Sequence, residues 1–443
     1  MKYFNCSVFS LCIFSFIVFT FQSCTNPISP ANGFTLSVAD VSCTEAWLNL
    51  HVNTAPAIIT INKNGAALFT MKVTTRDTTI YDSTLSPGKN YTYQALVTGI
   101  KSNQATARTM DTTSHNFRWQ LYTLGDALAG NGSMLYDAAI INENDIWVVG
   151  EIYLKDSVQM YNAAHWDGQK WNLKSIYFNY NGQNLISTIR AVYAFNANDI
   201  WFGMGSMIHW NGRTFESISN ASSFPSLVNR IYGTSDNDLY VIGNSGNIAR
   251  YNGTSWSKIQ SGTTLYLLDI YSNNSNDIYI AGGNFLNYDG ILLKGTNDSF
   301  QTLNEGKNIT ADQLFHPYFS GLANTIWVSS NGSLYFGGNF LYRYKFGQYN
   351  LVKTLPGNYF GGNATGQYWG FISKIRGNAD NDIFMAGEGN TVRHFNGVTW
   401  QQLGMPYDYN SPYLWLSINV KNNTVAVAGY KDRNAVVLIL KRQ

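Results

Sequence analysis

Short apolar runs alternate with tight polar turns along most of the chain, and two phrases recur. The first is an apolar run that follows an Asn-Asp turn, as in NDIWVVG, whose aspartate is Asp145. The second leads through an Asp-Gly or Asn-Gly turn to Trp or Phe, as in HWDGQKW from His165 to Trp171. Apolar runs of this length bounded by Asn, Asp and Gly predict β-strands joined by tight turns. Each unit is therefore predicted to be a four-stranded antiparallel meander.

The first phrase occurs seven times. Its aspartate, or the residue in that place, recurs at intervals of 39 to 56 residues, and a four-stranded propeller blade needs about 40 residues. The pattern predicts a seven-bladed β-propeller over residues 117–443, with the excess residues in loops. The seven positions are Asp145, Asp199, Asp238, Asp277, Ser333, Asp382 and Thr424.

The two ends of the repeat region are predicted to pair. The last unit stops after its third strand, Ala435 to Leu440, and no fourth follows. The missing text stands before the first unit, where residues 117–125 (FRWQLYTLG) match the fourth-strand text WQQLG that begins at Trp400. We expect strand 117–124 to complete the last blade, because closure leaves no long unpaired edge.

Residues 33–112 precede the repeats and follow a different pattern, with alternating apolar and polar positions and turns at Asn64-Gly65 and Pro87-Gly88. This pattern predicts about seven short strands. The segment LSPGKNYTY, from Leu85 to Tyr93, resembles the tyrosine corner of fibronectin type III modules. The resemblance implies a β-sandwich with Trp47 in its core, and a generic immunoglobulin-like sandwich is the alternative. The predicted fold class is therefore all-β, with an N-terminal sandwich followed by the closed propeller.

The first 24 residues have the pattern of a secretion signal, with Lys2 before an apolar stretch from Val8 to Phe21. The end of this stretch, FQSC, resembles a bacterial lipoprotein signal. That resemblance implies lipid on Cys24, a tether at 25–32 and a place in the bacterial envelope, at the outer membrane or cell surface. The alternative is an ordinary cleaved signal. Under the lipoprotein hypothesis Cys43 alone remains free in the folded protein, and we expect it to pack as a small apolar residue.

Composition narrows the classes of function. Lys and Arg total 29 and Asp and Glu total 27, for a formal net charge of +2, so no electrostatic footprint for nucleic acid is present. The sequence has no Gly-rich phosphate loop, no HExxH zinc helix and no GxSxG nucleophile motif. It therefore predicts no cofactor, no metal site and no catalytic residue.

The repeat text resembles a broad family of bacterial extracellular propellers with NDIWxVG and HWDGxxW units, loosely related to Asp-box and photosystem-assembly propellers. Asp167-Gly168 lacks the residue that separates Asp and Gly in a true Asp box, so no sialidase residues carry over. The resemblance implies the fold and leaves the activity open.

The recurring polar residues are predicted to be structural. The repeated aspartates are expected to hydrogen-bond backbone in Asx turns. Three histidines occupy one equivalent place in different units, and Arg250 and Asn287 are expected there in two others. Equivalent places are separated around the ring, so a shared metal is not predicted. Recurring tryptophans are expected to pack between blades. These residues are His165, His209 and His394, and Trp171, Trp256 and Trp400.

Additions to the repeat are predicted to lie on one face. In a four-stranded blade the first-to-second and third-to-fourth turns share one face, here called the turn face, and the remaining connections share the other, the loop face. The additions, at 151–162, 173–188, 291–323, 352–371 and 404–413, all belong to the loop face and are rich in aromatic residues. The candidate ligand-binding residues are Tyr177, Tyr180, Tyr359, Tyr368, Trp369, Tyr407, Tyr409 and Tyr413.

Loops on a rigid scaffold are where binding commonly resides, and Tyr and Trp beside Asn and Gly suit sugar rings or a protein partner. The leading hypothesis is therefore a non-catalytic, lipid-anchored protein whose loop face binds a glycan or a protein. The first alternative is a carbohydrate-active enzyme that uses two loop carboxylates. Candidates for that pair are Glu151, Asp156, Glu305, Asp312, Glu388 and Asp408. The second alternative is an envelope assembly or scaffolding factor.

Overall fold

The described chain is built of β-strands. The computed structural model describes residues 33–126, 130–218, 223–273, 277–286, 289–296, 299–306, 322–338, 340–352, 371–405 and 412–443. Cys24 and the predicted tether lie outside these ranges. Within them, no helix combines the length and the apolar character needed to cross a membrane.

By internal contacts the chain divides into two compact units. The first holds the described residues up to Ser37 together with Asn49–Thr78 and Thr92–Ala105. The second holds Val38–Leu48, Thr79–Tyr91 and Thr106–Gln443.

Seven strands precede the repeats, as the alternation of apolar positions predicts. They form a three-stranded sheet of order β1-β2-β5 and a four-stranded sheet of order β4-β3-β6-β7. Within the second unit, Trp47 is buried, but its ring lies against Phe346 and Lys345 and not only against the strands of the predicted sandwich. The Ser86 backbone N–H donates to the Tyr91 hydroxyl at 2.9 Å. The strands are β1 Thr35–Val41, β2 Ala46–His51, β3 Ala57–Lys63, β4 Ala66–Val73, β5 Asp77–Asp82, β6 Asn90–Val97 and β7 Ile100–Arg108.

The remaining strands form seven four-stranded antiparallel sheets and one small hairpin. Strand β8 is Phe117–Leu124. Sheet 1 contains β9 Met134–Asn142, β10 Asp145–Ile152, β11 Tyr161–Trp166 and β12 Trp171–Lys174; the hairpin is β13 Phe178–Tyr180 with β14 Gln183–Leu185; sheet 2 contains β15 Ala191–Asn196, β16 Asp199–Gly203, β17 Met207–Trp210 and β18 Phe215–Ile218; sheet 3 contains β19 Val228–Ser235, β20 Asp238–Gly243, β21 Asn247–Tyr251 and β22 Trp256–Gln260.

The other four sheets have the same order. Sheet 4 contains β23 Tyr266–Ser272, β24 Ile278–Gly283, β25 Gly290–Gly295 and β26 Phe300–Gly306; sheet 5 contains β27 Ala323–Val328, β28 Leu334–Gly338, β29 Leu341–Lys345 and β30 Gln348–Leu351; sheet 6 contains β31 Ile372–Ala379, β32 Asp382–Gly387, β33 Val392–Phe395 and β34 Trp400–Gln402; sheet 7 contains β35 Leu414–Lys421, β36 Thr424–Lys431 and β37 Asn434–Arg442, followed by β8.

The first strands of consecutive sheets pack against each other, and β35 packs against β9. Strand β8 pairs antiparallel with β37, with Leu438 opposite Leu121, which confirms the predicted pairing of the two ends. This arrangement is that of a β-propeller. Buried aliphatic residues fill the spaces between neighbouring sheets, and the three recurring tryptophans pack there as predicted.

The turns that the sequence predicts lie at one end of every sheet. In sheet 1, Asp145 pairs with Asn142 at the first turn, and Trp166 pairs with Trp171 at the second. Strand register places both turns at the same end, which is the turn face. The second turn requires glycine because Gly168 has φ +92, a conformation that side chains disfavour. One predicted addition was wrong in part, since residues 291–295 and 300–306 of the stretch 291–323 belong to β25 and β26.

The repeated aspartates are structural but act differently from the prediction. The Asx turn is made by Asn142, whose Oδ1 accepts from the Asn144 backbone N–H at 2.9 Å. The Asp145 carboxylate instead contacts the neighbouring strand, where His165 Nε2 lies 2.8 Å away. The same contact recurs from sheet to sheet with a basic residue on the third strand. The other pairs are Asp199–His209, Asp238–Arg250, Asp277–Lys294 and Asp382–His394, with separations of 2.7 to 2.8 Å.

Each of these basic residues also lies against an aromatic ring of the second strand. Trp201 stacks on His209 with centroids 4.1 Å apart, and Lys294 Nζ lies 5.5 Å from the Tyr279 ring centroid. Lys294 therefore holds the place for which the sequence suggested Asn287, which lies outside the described residues. In sheet 7, Thr424 stands at the position of the aspartate and Ile439 at that of the basic residue, so this sheet has no such ion pair.

Candidate binding site at the channel mouth

The structure describes three of the eight predicted ligand-binding residues, all of them tyrosines. Tyr180 lies in the hairpin β13–β14 and is 59% exposed, and Tyr177 lies just before the hairpin and is 44% exposed. Tyr413 stacks on Trp415 at 5.4 Å, and Lys431 Nζ lies 4.5 Å from its ring centroid, so it is at least partly a packing residue. The other five, Tyr359, Tyr368, Trp369, Tyr407 and Tyr409, lie outside the described residues.

The first strands of four sheets carry a buried network of charges that crosses the centre of the propeller. Asp269 of β23 accepts hydrogen bonds from Arg376 Nη1 and Nη2 of β31 at 2.9 and 2.8 Å. Lys374 Nζ, on the same strand as Arg376, lies 3.0 Å from Asp269 Oδ1. Arg230 of β19 binds Asp137 of β9, and its Nε lies 3.5 Å from Asp269. The described network therefore contains three cations and two carboxylates.

Both carboxylates are also held by hydrogen bonds from neutral groups. Asp269 Oδ2 accepts from the Thr325 hydroxyl at 2.8 Å and from the Ile326 backbone N–H at 3.0 Å. Burial alone would raise the pKa of Asp269, but Arg376 and Lys374 hold it well below its usual range. Asp269 is therefore ionised in the folded protein.

Asp137 is similarly surrounded. It accepts from the Ala138 and Val192 backbone N–H groups at 2.9 and 3.1 Å and from the Ser417 hydroxyl at 2.8 Å. These bonds, together with Arg230, fix the carboxylate between first strands of neighbouring sheets. Buried charges are tolerated when they are paired and hydrogen-bonded in this way.

A cavity of about 320 Å³ opens on the loop-face side of this network. Its walls come from the beginnings of first strands and from second-to-third connections, which places it on the loop face. Polar and charged lining residues are Arg190, Asn229, Arg230, Asn324, Ser373, Lys374 and Glu388; apolar and aromatic ones are Tyr136, Leu268, Phe285, Phe371, Leu414, Trp415, Leu416 and Tyr430.

One lining side chain, Lys374, gives the cavity unmet hydrogen-bonding capacity. Trp415 also lines the cavity, but its indole nitrogen is fully buried, and the same N–H without an acceptor among the described residues recurs at the buried Trp327. Lys374 is 2% exposed, and within the described chain its ammonium contacts one acceptor, Asp269. Burial and the neighbouring Arg230 hold the pKa of Lys374 well below its usual range. Arg190, at the rim, lies 4.6 Å from the Tyr136 ring centroid.

A second cavity, of about 210 Å³, opens on the turn-face side of the same network. Tyrosines line it, but the hydroxyls of two are already committed to backbone carbonyls, with Tyr193 donating to Gly233 at 2.7 Å and Tyr232 donating to Ser272. Lys421 and Asn419 lie at its edge. This cavity offers fewer free donors than the one on the loop face.

Hydrolysis of a glycosidic bond requires two carboxylates, and Glu388 is the single carboxylate among the described residues that line the loop-face cavity. Glu151 bonds to Thr188 at 3.2 Å, and Asp312 and Asp408 lie outside the described residues. No cluster of three or more metal-ligating side chains occurs in the described ranges.

Sequence reasoning missed the charged residues that line this cavity. Arg230 and Lys374 stand next to apolar residues in the predicted strand segments VNRIYG and ISKIRG. A charged residue inside an apolar strand is unusual, and this signal could have been noticed. It could not have shown that the two residues meet.

Comparison with known proteins places the fold and no more. No protein-family model matches the sequence, and no curated protein matches it. A solved structure titled YCF48 bound to D1 peptide is similar, with a TM-score of 0.53 and 15% identity over 75% of this chain and 99% of that chain. YCF48 from Cyanidioschyzon merolae gives a TM-score of 0.49, with 12% identity over 72% of this chain and 98% of that chain.

The WD40 β-propeller domain of Doa1 also gives a TM-score of 0.49, with 14% identity over 74% of this chain and 97% of that chain. The similarity to the peptide-bound YCF48 structure agrees with the β-propeller seen in this chain.

Proposed function

We propose that this chain is a non-catalytic binding protein that holds a protein partner at the loop face of its propeller. The observation that carries the proposal is the loop-face cavity, where apolar and aromatic walls surround a few polar and charged groups. Binding sites commonly have this composition. A propeller that holds a peptide is among the similar structures, so the scaffold is suited to this role.

Site-specific photo-cross-linking in the producing cell tests the proposal. A photoreactive residue at Phe285, which is 49% exposed on the loop face, should capture one partner protein reproducibly. The control is Arg213, which is exposed in the β17–β18 turn on the opposite face. Capture of the same protein from both positions, or from neither, would contradict a loop-face partner.

A glycan is the second candidate ligand, and the hairpin β13–β14 favours it. Tyr177 and Tyr180 are exposed there, with Asn179 between them and Asn184 opposite. Exposed aromatic rings beside amides suit stacking and hydrogen bonding to sugars. A glycan array should show saturable binding that Tyr180→Ala abolishes, whereas a blank array would leave the protein partner as the ligand.

We also propose the organisation that places this face outside the cell. A lipid on Cys24 would anchor the chain in the bacterial envelope, at the outer membrane or cell surface. Residues 33–112 would form a fibronectin type III-like spacer, which the two sheet orders and the Tyr91 corner support. Residues 117–443 would form a seven-bladed propeller, which the seven successive sheets support.

Metabolic labelling with an alkyne fatty acid tests the anchor. The wild-type chain should take up label and fractionate with membranes, and Cys24→Ala should lose both properties. Label retained by Cys24→Ala would overturn the lipoprotein assignment.

A further inference from the structure

We propose that the loop-face cavity binds a carboxylate group of an acidic peptide segment, with Lys374 as its contact. This inference rests on the proposed function and names the chemistry of the ligand. It assigns Lys374 a binding role that the stability of the propeller does not require.

The first argument is the charge balance of the buried network. Arg230, Lys374 and Arg376 face Asp137 and Asp269, which leaves one cation in excess. An uncompensated buried charge is costly, and a bound anion removes that cost. An excess of one charge matches a singly charged carboxylate better than a doubly charged phosphate.

The second argument is which cation is in excess. Arg376 makes two hydrogen bonds to Asp269 and two to backbone carbonyls, and Arg230 binds Asp137. Lys374 contacts one carboxylate oxygen, although an ammonium has three N–H donors. Its remaining donors are at the wall of the loop-face cavity.

The low pKa of Lys374 agrees with an anion that is missing from the free protein. Burial and the adjacent arginines disfavour the charged ammonium, and a bound carboxylate would favour it again. The apolar walls formed by Phe285 and Phe371 suit the side chains of a peptide on either side of its acidic residue.

A peptide array probed with the purified protein tests the inference. The array carries random twelve-residue peptides with amidated ends, the same peptides with Asp and Glu changed to Asn and Gln, and a third set with free C-terminal carboxylates. Wild-type protein should bind acidic members at least tenfold better than their amide counterparts. Selectivity confined to the third set would identify a chain end as the source of the carboxylate.

Two variants separate binding from folding. Lys374→Met should abolish the acidic preference while its melting temperature stays equal or rises, because two arginines then face two aspartates. Lys421→Met, a matched change at the turn-face cavity, should keep the preference.

The outcomes distinguish the two proposals. Peptides bound equally well by wild type and Lys374→Met, or bound without regard to acidic residues, would overturn the carboxylate site and leave the loop-face partner intact. So would a wild-type protein that cross-links its partner through Phe285 and selects no acidic peptide. Lys374→Met that unfolds would make Lys374 a structural residue and also overturn the inference.

Discussion

The Glu45 carboxylate binds both terminal nitrogens of Arg343, at 2.7 and 2.8 Å. Arg343 occupies, in sheet 5, the place of the basic residue that pairs with the repeated aspartate in other sheets. Sheet 5 has Ser333 instead of that aspartate, so a carboxylate from outside the repeats, in the same compact unit, supplies the charge. The neighbouring Lys345 is paired in the same way with Asp40.

Glu45→Gln should therefore destabilise the fold. Both partners are largely buried, with side chains 13% and 17% exposed, and removing one charge leaves Arg343 uncompensated. We expect a loss of about 3 kcal/mol in the free energy of unfolding, measured by urea denaturation. The same change at Glu143, whose pair with Lys441 is 60% exposed on the glutamate side, should cost less than about 0.5 kcal/mol. Equal losses at Glu45 and Glu143 would show that the buried Glu45–Arg343 pair contributes no more to stability than an exposed pair.

A histidine pair should make stability depend on pH. His115 Nδ1 lies 2.7 Å from His394 Nδ1, and His394 in turn contacts Asp382, which also binds Arg442. Burial, His394 and Arg442 lower the pKa of His115 to about 4 from an ordinary 6.5. The unfolded chain then binds more protons between these values. The contribution of this histidine to the free energy of unfolding should be fully present above pH 6.5 and should be lost as the pH falls towards 4.

Urea midpoints measured between pH 7.5 and 4.5 check this expectation. His115→Gln removes one titrating group and should reduce the dependence on pH in this window. His51→Gln, at an exposed histidine in the other compact unit, should leave the dependence unchanged. A midpoint of the wild type that stays constant across the window would contradict the role of this pair.

The fold could be predicted in detail because its determinants are local. Asn-Asp and Asn-Gly turns stand beside each strand they join, so the text around Asp145 and Gly168 is enough to locate sheet 1. The charge network could not be predicted, because Asp137 and Arg230 come from different sheets. They meet only when the first strands of the sheets come together around the centre of the propeller. The sequence shows Ser333 at the position where other sheets have an aspartate. That Glu45 supplies the missing negative charge depends on tertiary packing and could not be predicted.

Removing strand β8 should prevent cooperative folding. Its eight residues pair along β37, from Phe117 opposite Arg442 to Leu124 opposite Ala435, and deletion would expose a long unpaired edge. We expect the deletion of 117–125 to give insoluble protein or a broad, non-cooperative melting curve. Replacing the hairpin 178–185 with a Gly-Ser linker is the control, because that hairpin pairs with no other sheet. A β8 deletant that melts like the full chain would show that β8 is dispensable.

Asp269→Asn should lower the free energy of unfolding more than any other single change in the buried charge network. Asp269 is fully buried and faces Arg230, Lys374 and Arg376, and loss of its charge would leave three cations facing Asp137. We expect a loss of about 3 to 5 kcal/mol in the free energy of unfolding. Adding Lys374→Met should recover part of that loss, because it removes one of the cations that the aspartate neutralised. Urea denaturation of both singles and the double variant gives the coupling energy, and additive effects would mean that Lys374 and Asp269 do not interact.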